Sequence, residues 1–132
     1  MMTGHCSCTQ VAFSINAEPR DIYACHCSIC RRSTGVNGVA VVVVPKAAFA
    51  WDRGEDLVQR WRKPDGDWGC AFCRVCGSAL PDENDTGHLY VPVGVLDDTR
   101  HLRLAHHIWV DSRADWDELP SVGKRHGAAF SG

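Results

Sequence analysis

Long apolar runs are missing from this 132-residue chain, and so is any marked excess of one charge. The longest β-branched stretch, Val39-Ala40-Val41-Val42-Val43-Val44, stops at Pro45, far short of the roughly 20 residues a helix needs to span a bilayer. The 14 Lys and Arg against 16 Asp and Glu leave a formal charge of -2, so no electrostatic field argues for nucleic acid or an acidic membrane as partner. The start, Met1-Met2-Thr3-Gly4-His5, has neither the basic region nor the apolar stretch of a secretory signal, and a cytoplasmic location is the expectation. Internal repeats, low-complexity tracts and linkers are also absent. These absences leave one small soluble domain over residues 1–132.

Extended helical periodicity is lacking as well, and short-range alternation takes its place. Val11, Phe13 and Ile15 alternate with Ala12 and Ser14 as in a half-buried strand, and Val39–Val44 reads as a core strand. Leu57-Val58-Gln59-Arg60-Trp61 is a further strand, ending before the turn signal Pro64-Asp65-Gly66-Asp67. Leu89, Val91, Val93 and Val95 alternate again, although Pro92 and Gly94 predict an edge or a bulge. His107-Ile108-Trp109-Val110 is the last strand expected. Helix is confined to short stretches at Ser28–Arg32, Lys46–Phe49 and Ala114–Leu119. The fold class is therefore mainly β.

What the chain has in quantity is cysteine. Seven of its eight fall into three clusters, Cys6-x-Cys8, Cys25-x-Cys27-x-x-Cys30 and Cys73-x-x-Cys76. In a reducing compartment clustered cysteines are more often metal ligands or redox groups than disulfides. Cys73-Arg74-Val75-Cys76-Gly77 has the form of a zinc knuckle, in which the spacing lets two sulfurs converge and the glycine accommodates the turn. Cys6 and Cys8 can supply the second pair, if the strand from Val11 to Ile15 lies beside the segment bearing Cys73 and Cys76. That makes a closed, structural four-thiolate site.

Cys25, Cys27 and Cys30 remain, with no further pair to complete them. Three thiolates on one Zn²⁺ carry a formal charge of -1 and leave an exchangeable position, the arrangement of catalytic rather than structural zinc. Zinc in such a place lowers the pKa of a coordinated thiol and polarises a nearby carbonyl. Arg31 and Arg32 follow directly, where they could offset that charge or receive a substrate carboxylate. Two zinc ions per chain are expected, one structural and one facing substrate.

Cys70 is the eighth cysteine. If it reached the second zinc, that site would close; the plainer reading is a free, partly buried thiol beside a strand end. His26, between two ligands, is expected near the metal's surroundings or in solvent rather than on the ion. His106 and His107 should point to opposite faces of a strand. His5, His88, His101 and His126 read as surface residues, and Asp115–Glu118 as a solvated helical face. The five tryptophans, Trp51, Trp61, Trp68, Trp109 and Trp116, read as core or rim packing.

Gly4-x-Cys6-x-Cys8, then Cys25-His26-Cys27-Ser28-x-Cys30-Arg31-Arg32, then Phe72-Cys73-x-x-Cys76-Gly77-Ser78 resemble, in that order, the glutathione-dependent formaldehyde-activating enzyme family, which also includes centromere protein V. His107-Ile108-Trp109-Val110-x-Ser112-Arg113-x-x-Trp116 is similar to that family's closing segment. The resemblance implies a small fold of two antiparallel sheets stapled by zinc, like that of zinc-binding Rab accessory proteins. It assigns a structural zinc to Cys6, Cys8, Cys73 and Cys76, and a substrate-facing zinc to Cys25, Cys27 and Cys30. The implied activity is that of a carbon-sulfur lyase, joining glutathione's thiol reversibly to formaldehyde as S-hydroxymethylglutathione. The partner expected is thus a small-molecule thiol or its aldehyde adduct. The alternative is a noncatalytic zinc module with two structural sites, used for protein interaction. No side chain is assigned as general acid or base.

Overall fold

Short strands dominate, as expected of a chain punctuated by 12 glycines and 6 prolines. The computed structural model describes residues 1–65, 68–85 and 87–132. In chain order its strands are β1 (Met2–His5), β2 (Ala12–Ile15), β3 (Asp21–Cys25), β4 (Val39–Pro45), β5 (Phe49–Arg53), β6 (Val58–Arg62), β7 (Gly69–Cys73), β8 (Ala79–Leu80), β9 (Asp82–Asp85), β10 (His88–Pro92), β11 (Arg103–Ile108) and β12 (Lys124–Arg125). One α-helix, α1 (Ser28–Thr34), follows β3. The chain divides into two units, Met1–Pro19 with Val42–Arg100, and Arg20–Val41 with His101–Gly132.

In the first unit β2 lies between β1 and β5, antiparallel to both, with Ile15 opposite Met2 on one side and Phe49 on the other. Val11, Phe13 and Ile15 are fully buried, and Ala12 is buried too, so the strand is covered on both faces rather than half-exposed. Phe13 stacks on Phe49 and meets Trp51 edge-on. Burying such a ring contributes about 1.5–3 kcal/mol. A second sheet is the meander β6-β7-β8, which sets Val58 opposite Cys73 and Ala71 opposite Leu80. Cys6, Val11, Ala71, Cys73 and Leu80 form one buried apolar cluster, bordered by Cys8, Trp51, Leu57 and Val58. The hairpin β9–β10 ends at Pro92 and Val93–Val95 winds into a 3-10 turn, so the expected alternation stops before Val95; β10 lies between β4 and β9 and is not the expected edge, and the register shift falls between His88 and Leu89.

In the second unit β3 pairs antiparallel with the start of β4 and parallel with β11, which pairs parallel with β12 in turn. Cys25 thereby lies opposite Ile108 and Val39. Helix α1 starts at Cys27, whose sulfur accepts the Cys30 N–H, and ends at Gly35.

Three features differ from the sequence reading. The fold is mainly β as expected, but the described residues form three sheets rather than two, and β11 makes parallel pairs, because strands distant in sequence meet there without a hairpin. The strand expected at His107–Val110 starts at Arg103 and stops at Ile108, since Trp109 takes a left-handed φ of 58° and Val110–Ser112 coils, and a further strand, β12, follows it. Ala114–Leu119 is not helical; a single turn closes there with the Asp117 N–H on the Ala114 carbonyl at 3.0 Å. Lys46–Ala48 is a 3-10 turn. Gly66 and Asp67 of the expected turn lie outside the described residues. Among those residues no helix is long and apolar enough to cross a membrane.

Candidate metal centres

Two groups of cysteine sulfurs converge among the described residues, and either could hold a metal ion: Cys6, Cys8, Cys73 and Cys76 in the first unit, and Cys25, Cys27 and Cys30 in the second. Within each group every sulfur lies within 4.8 Å of the others. Four thiolates at about 2.3 Å from a tetrahedral ion stand about 3.8 Å apart. The separations fit: 3.5 Å for Cys6–Cys8 and 3.8 Å for Cys8–Cys73. All eight cysteines are free thiols.

The four-sulfur group is made by two turns facing each other. Cys6 and Cys73 are fully buried in the apolar cluster, Cys8 is half-buried and Cys76 is exposed. In the first turn the Thr9 N–H reaches the Cys6 carbonyl and the Val11 N–H points at the Cys6 sulfur at 3.4 Å. The second closes with the Gly77 N–H on the Cys73 carbonyl, at a φ of 79° that favours glycine. Ser78 joins the two, its Oγ accepting the Ser7 N–H at 2.9 Å and donating to the Ser7 Oγ. Hydrogen bonds from the Ser78 hydroxyl and backbone hold the Cys76 thiol down at about 5, ready to bind as thiolate. The two pairs meet as the spacing predicts but by another route: β2 pairs with β1 and β5 and not with β7, and the contact runs through Val11 in the shared core.

The three-sulfur group sits where β3 passes into α1. Sulfur separations are 3.1 Å for Cys25–Cys30 and 3.5 Å for Cys25–Cys27, somewhat tighter than a tetrahedral edge. The hydrogen bond from Cys30, against burial and with help from the Cys27 backbone and thiol, holds the Cys25 thiol at about 6. The same bond, with burial, pushes Cys30 up. Among the described residues no fourth His, Cys, Asp or Glu joins this group. Cys70 in particular belongs to neither group. It is a half-buried thiol on β7 opposite Trp61, raised by burial and then by the charge of Asp82.

Beside the three sulfurs lies a buried polar chain. His107 Nε2 is 2.9 Å from the Val122 carbonyl and must donate to it; with the proton placed there, His107 Nδ1 accepts from His26 Nε2, 2.9 Å away. That assignment leaves His26 Nδ1 facing Asp117 Oδ2 at 3.7 Å, neither atom in a well-formed hydrogen bond, with the Asn37 backbone also close enough to act on the ring. An ion pair there needs His26 protonated, yet burial and then the neighbouring His107 push its pKa down, with Asp117 opposing. Asp117 is fixed from its other oxygen by Asn37 Nδ2 at 3.1 Å. The expected solvated face is thus wrong for Asp117, which is buried. Spacing could not have found it, because Asn37 and Asp117 stand 80 positions apart.

The remaining expectations divide. His106 and His107 do face opposite ways, His106 turning to His126 Nε2 at 3.1 Å and stacking on Tyr23. His126 is buried rather than on the surface, and burial, then His106, lowers its pKa. Arg31 is half-buried and bonds the Ser112 carbonyl, whereas Arg32 is exposed. Trp51 packs in the core, and Trp61, Trp109 and Trp116 are exposed.

A family model described as glutathione-dependent formaldehyde-activating enzyme matches residues 1–112, a stretch that contains all seven converging cysteines. The crystal structure of a Rhodobacter sphaeroides protein is similar in fold, with a TM-score of 0.61, 22% identity, and coverage of 73% of this chain and 88% of that one. No curated protein sequence matches. By the extent of the family match, the chain belongs to the glutathione-dependent formaldehyde-activating enzyme family.

Proposed function

We propose that this protein is a zinc-dependent carbon-sulfur lyase acting on a thiol adduct of an aldehyde, of the S-hydroxymethylglutathione type. The observation that carries the reading is the three-sulfur group, Cys25, Cys27 and Cys30, gathered within 4.8 Å with no fourth ligand among the described residues. The four-sulfur group, rooted in the core of the first unit, has the donor set of a structural zinc site. When bound by the three, zinc would supply a Lewis-acidic position at which a small thiol ionises near neutral pH. The hydrogen bond that Cys30 donates to the Cys25 sulfur favours the Cys25 thiolate, the form that a metal would take. In the reaction a sulfur-carbon bond forms between thiol and carbonyl carbon while a proton reaches the carbonyl oxygen; the reverse step releases aldehyde and thiol. A noncatalytic module with two closed sites would need one more donor beside the three, and family membership favours a glutathione-related role.

Exchange NMR on glutathione and formaldehyde at equilibrium tests the proposal, because the rate of interconversion with S-hydroxymethylglutathione is read above the spontaneous background. The zinc-loaded protein is expected to raise that rate in proportion to its concentration. No acceleration would overturn the assignment of this substrate.

A further inference from the structure

The groups packed around His26, between two of the three sulfur ligands, come partly from a segment beyond the family match. Asp117 and Val122 follow Ser112, where the matched stretch ends, yet Val122 receives His107 and Asp117 faces His26. His26 is the residue between Cys25 and Cys27, so the direction of its ring is tied to the peptide that aims both sulfurs. That peptide is restrained by β11 and by the close approach of Gly38. The His26 N–H donates to the Ile108 carbonyl at 3.0 Å, and a side chain at Gly38 would stand 2.7 Å from the Cys25 carbonyl and 3.2 Å from His26 Nδ1. His26, His107 and Asp117 are 6%, 1% and 8% exposed. A buried carboxylate oxygen and a buried ring nitrogen outside well-formed hydrogen bonds are costly and call for an explanation.

We propose that Asp117, carried by residues 113–132, is a positioning residue for the metal held by Cys25, Cys27 and Cys30, acting through the His26 ring; the role rests on the three-thiolate reading above. Asp117 touches no ligand sulfur within hydrogen-bond reach and supplies none of the coordination. It closes one side of the slot in which His26 is clamped, the other side being His107 on its Val122 carbonyl. Contacts that orient metal ligands typically contribute 10–100-fold in metal affinity, and that is the scale expected of this less direct one.

Cobalt(II) titration of the full chain, followed by its thiolate charge-transfer and d–d absorption, reads the two sites separately, and the four-sulfur site is the internal control. Wild-type protein is expected to take two ions. Asp117→Ala is expected to keep the four-sulfur spectrum and to bind the second ion about 10–100-fold more weakly, with altered d–d bands. Asp117→Asn retains an acceptor for Asn37 and offers an N–H to His26 Nδ1, and it is expected to restore the second ion's affinity and spectrum. Unchanged second-site binding in the alanine variant would overturn the proposal. So would loss of both ions together, which marks a merely structural residue, or a second-site loss in the asparagine variant equal to that in alanine, which would mean that charge and not placement is used. A wild-type chain that takes only one ion would instead overturn the three-thiolate reading, and the proposal with it.

Discussion

Replacing Cys73 with alanine is expected to unfold the first unit and release its metal. Cys73 is fully buried, belongs to the same apolar cluster as Cys6 and Val11, and lies at the end of β7 opposite Val58 of β6. Structural zinc contributes about 10–16 kcal/mol of binding free energy that is also folding free energy. Typical domains have a net stability of only about 5–15 kcal/mol. Loss of one ligand therefore puts at risk a contribution comparable to the whole stability of the fold, and it leaves the buried Cys6 sulfur without its metal. Circular dichroism and metal analysis of Cys73→Ala check this: loss of the cooperative thermal transition is expected, and a folded variant with full metal content would refute the structural assignment.

Cys27→Ala is expected to behave differently. Its sulfur is half-buried, and apart from Cys25 its hydrogen-bond partner is the Cys30 N–H at the start of α1. Losing that cap costs about 0.5–2 kcal/mol, a local penalty. The four-sulfur group shares no residue with this one and should keep its ion. One zinc per chain, an intact thermal transition lowered by a few degrees, and loss of aldehyde-thiol exchange are the expected results. Unfolding of Cys27→Ala to the same degree as Cys73→Ala would favour two structural sites. The contrast separates the two function classes more sharply than either variant alone, since both remove one thiolate and only their surroundings differ.

Both cysteine groups were legible in the sequence, because thiolate coordination demands short spacings that the chain prints directly: x between Cys6 and Cys8, x-x between Cys73 and Cys76. The core strand Val39–Val44 and the break at Pro92 were legible for the same kind of reason, β-branched composition and a missing backbone donor. What stayed hidden was pairing between distant segments. Nothing in His107-Ile108 announces a parallel neighbour at Ala24-Cys25, and the β-strand from Asp21 to Cys25 lacks clean alternation because its residues are mostly half-buried. Asp117 was misread for a related cause: beside Asp115, Trp116 and Glu118 it has the composition of an exposed face, and only tertiary packing turns it inward to His26. His126 was misread in the same way, since its burial depends on His106 and Phe130.

The most direct measurement of the central claim is anomalous diffraction at the zinc edge from crystals of the zinc-loaded protein soaked in glutathione. Two zinc peaks are expected, one within Cys6, Cys8, Cys73 and Cys76, and one on Cys25, Cys27 and Cys30 whose fourth ligand is the glutathione sulfur. A fourth ligand donated by the chain itself, or no zinc on those three sulfurs, would contradict the account.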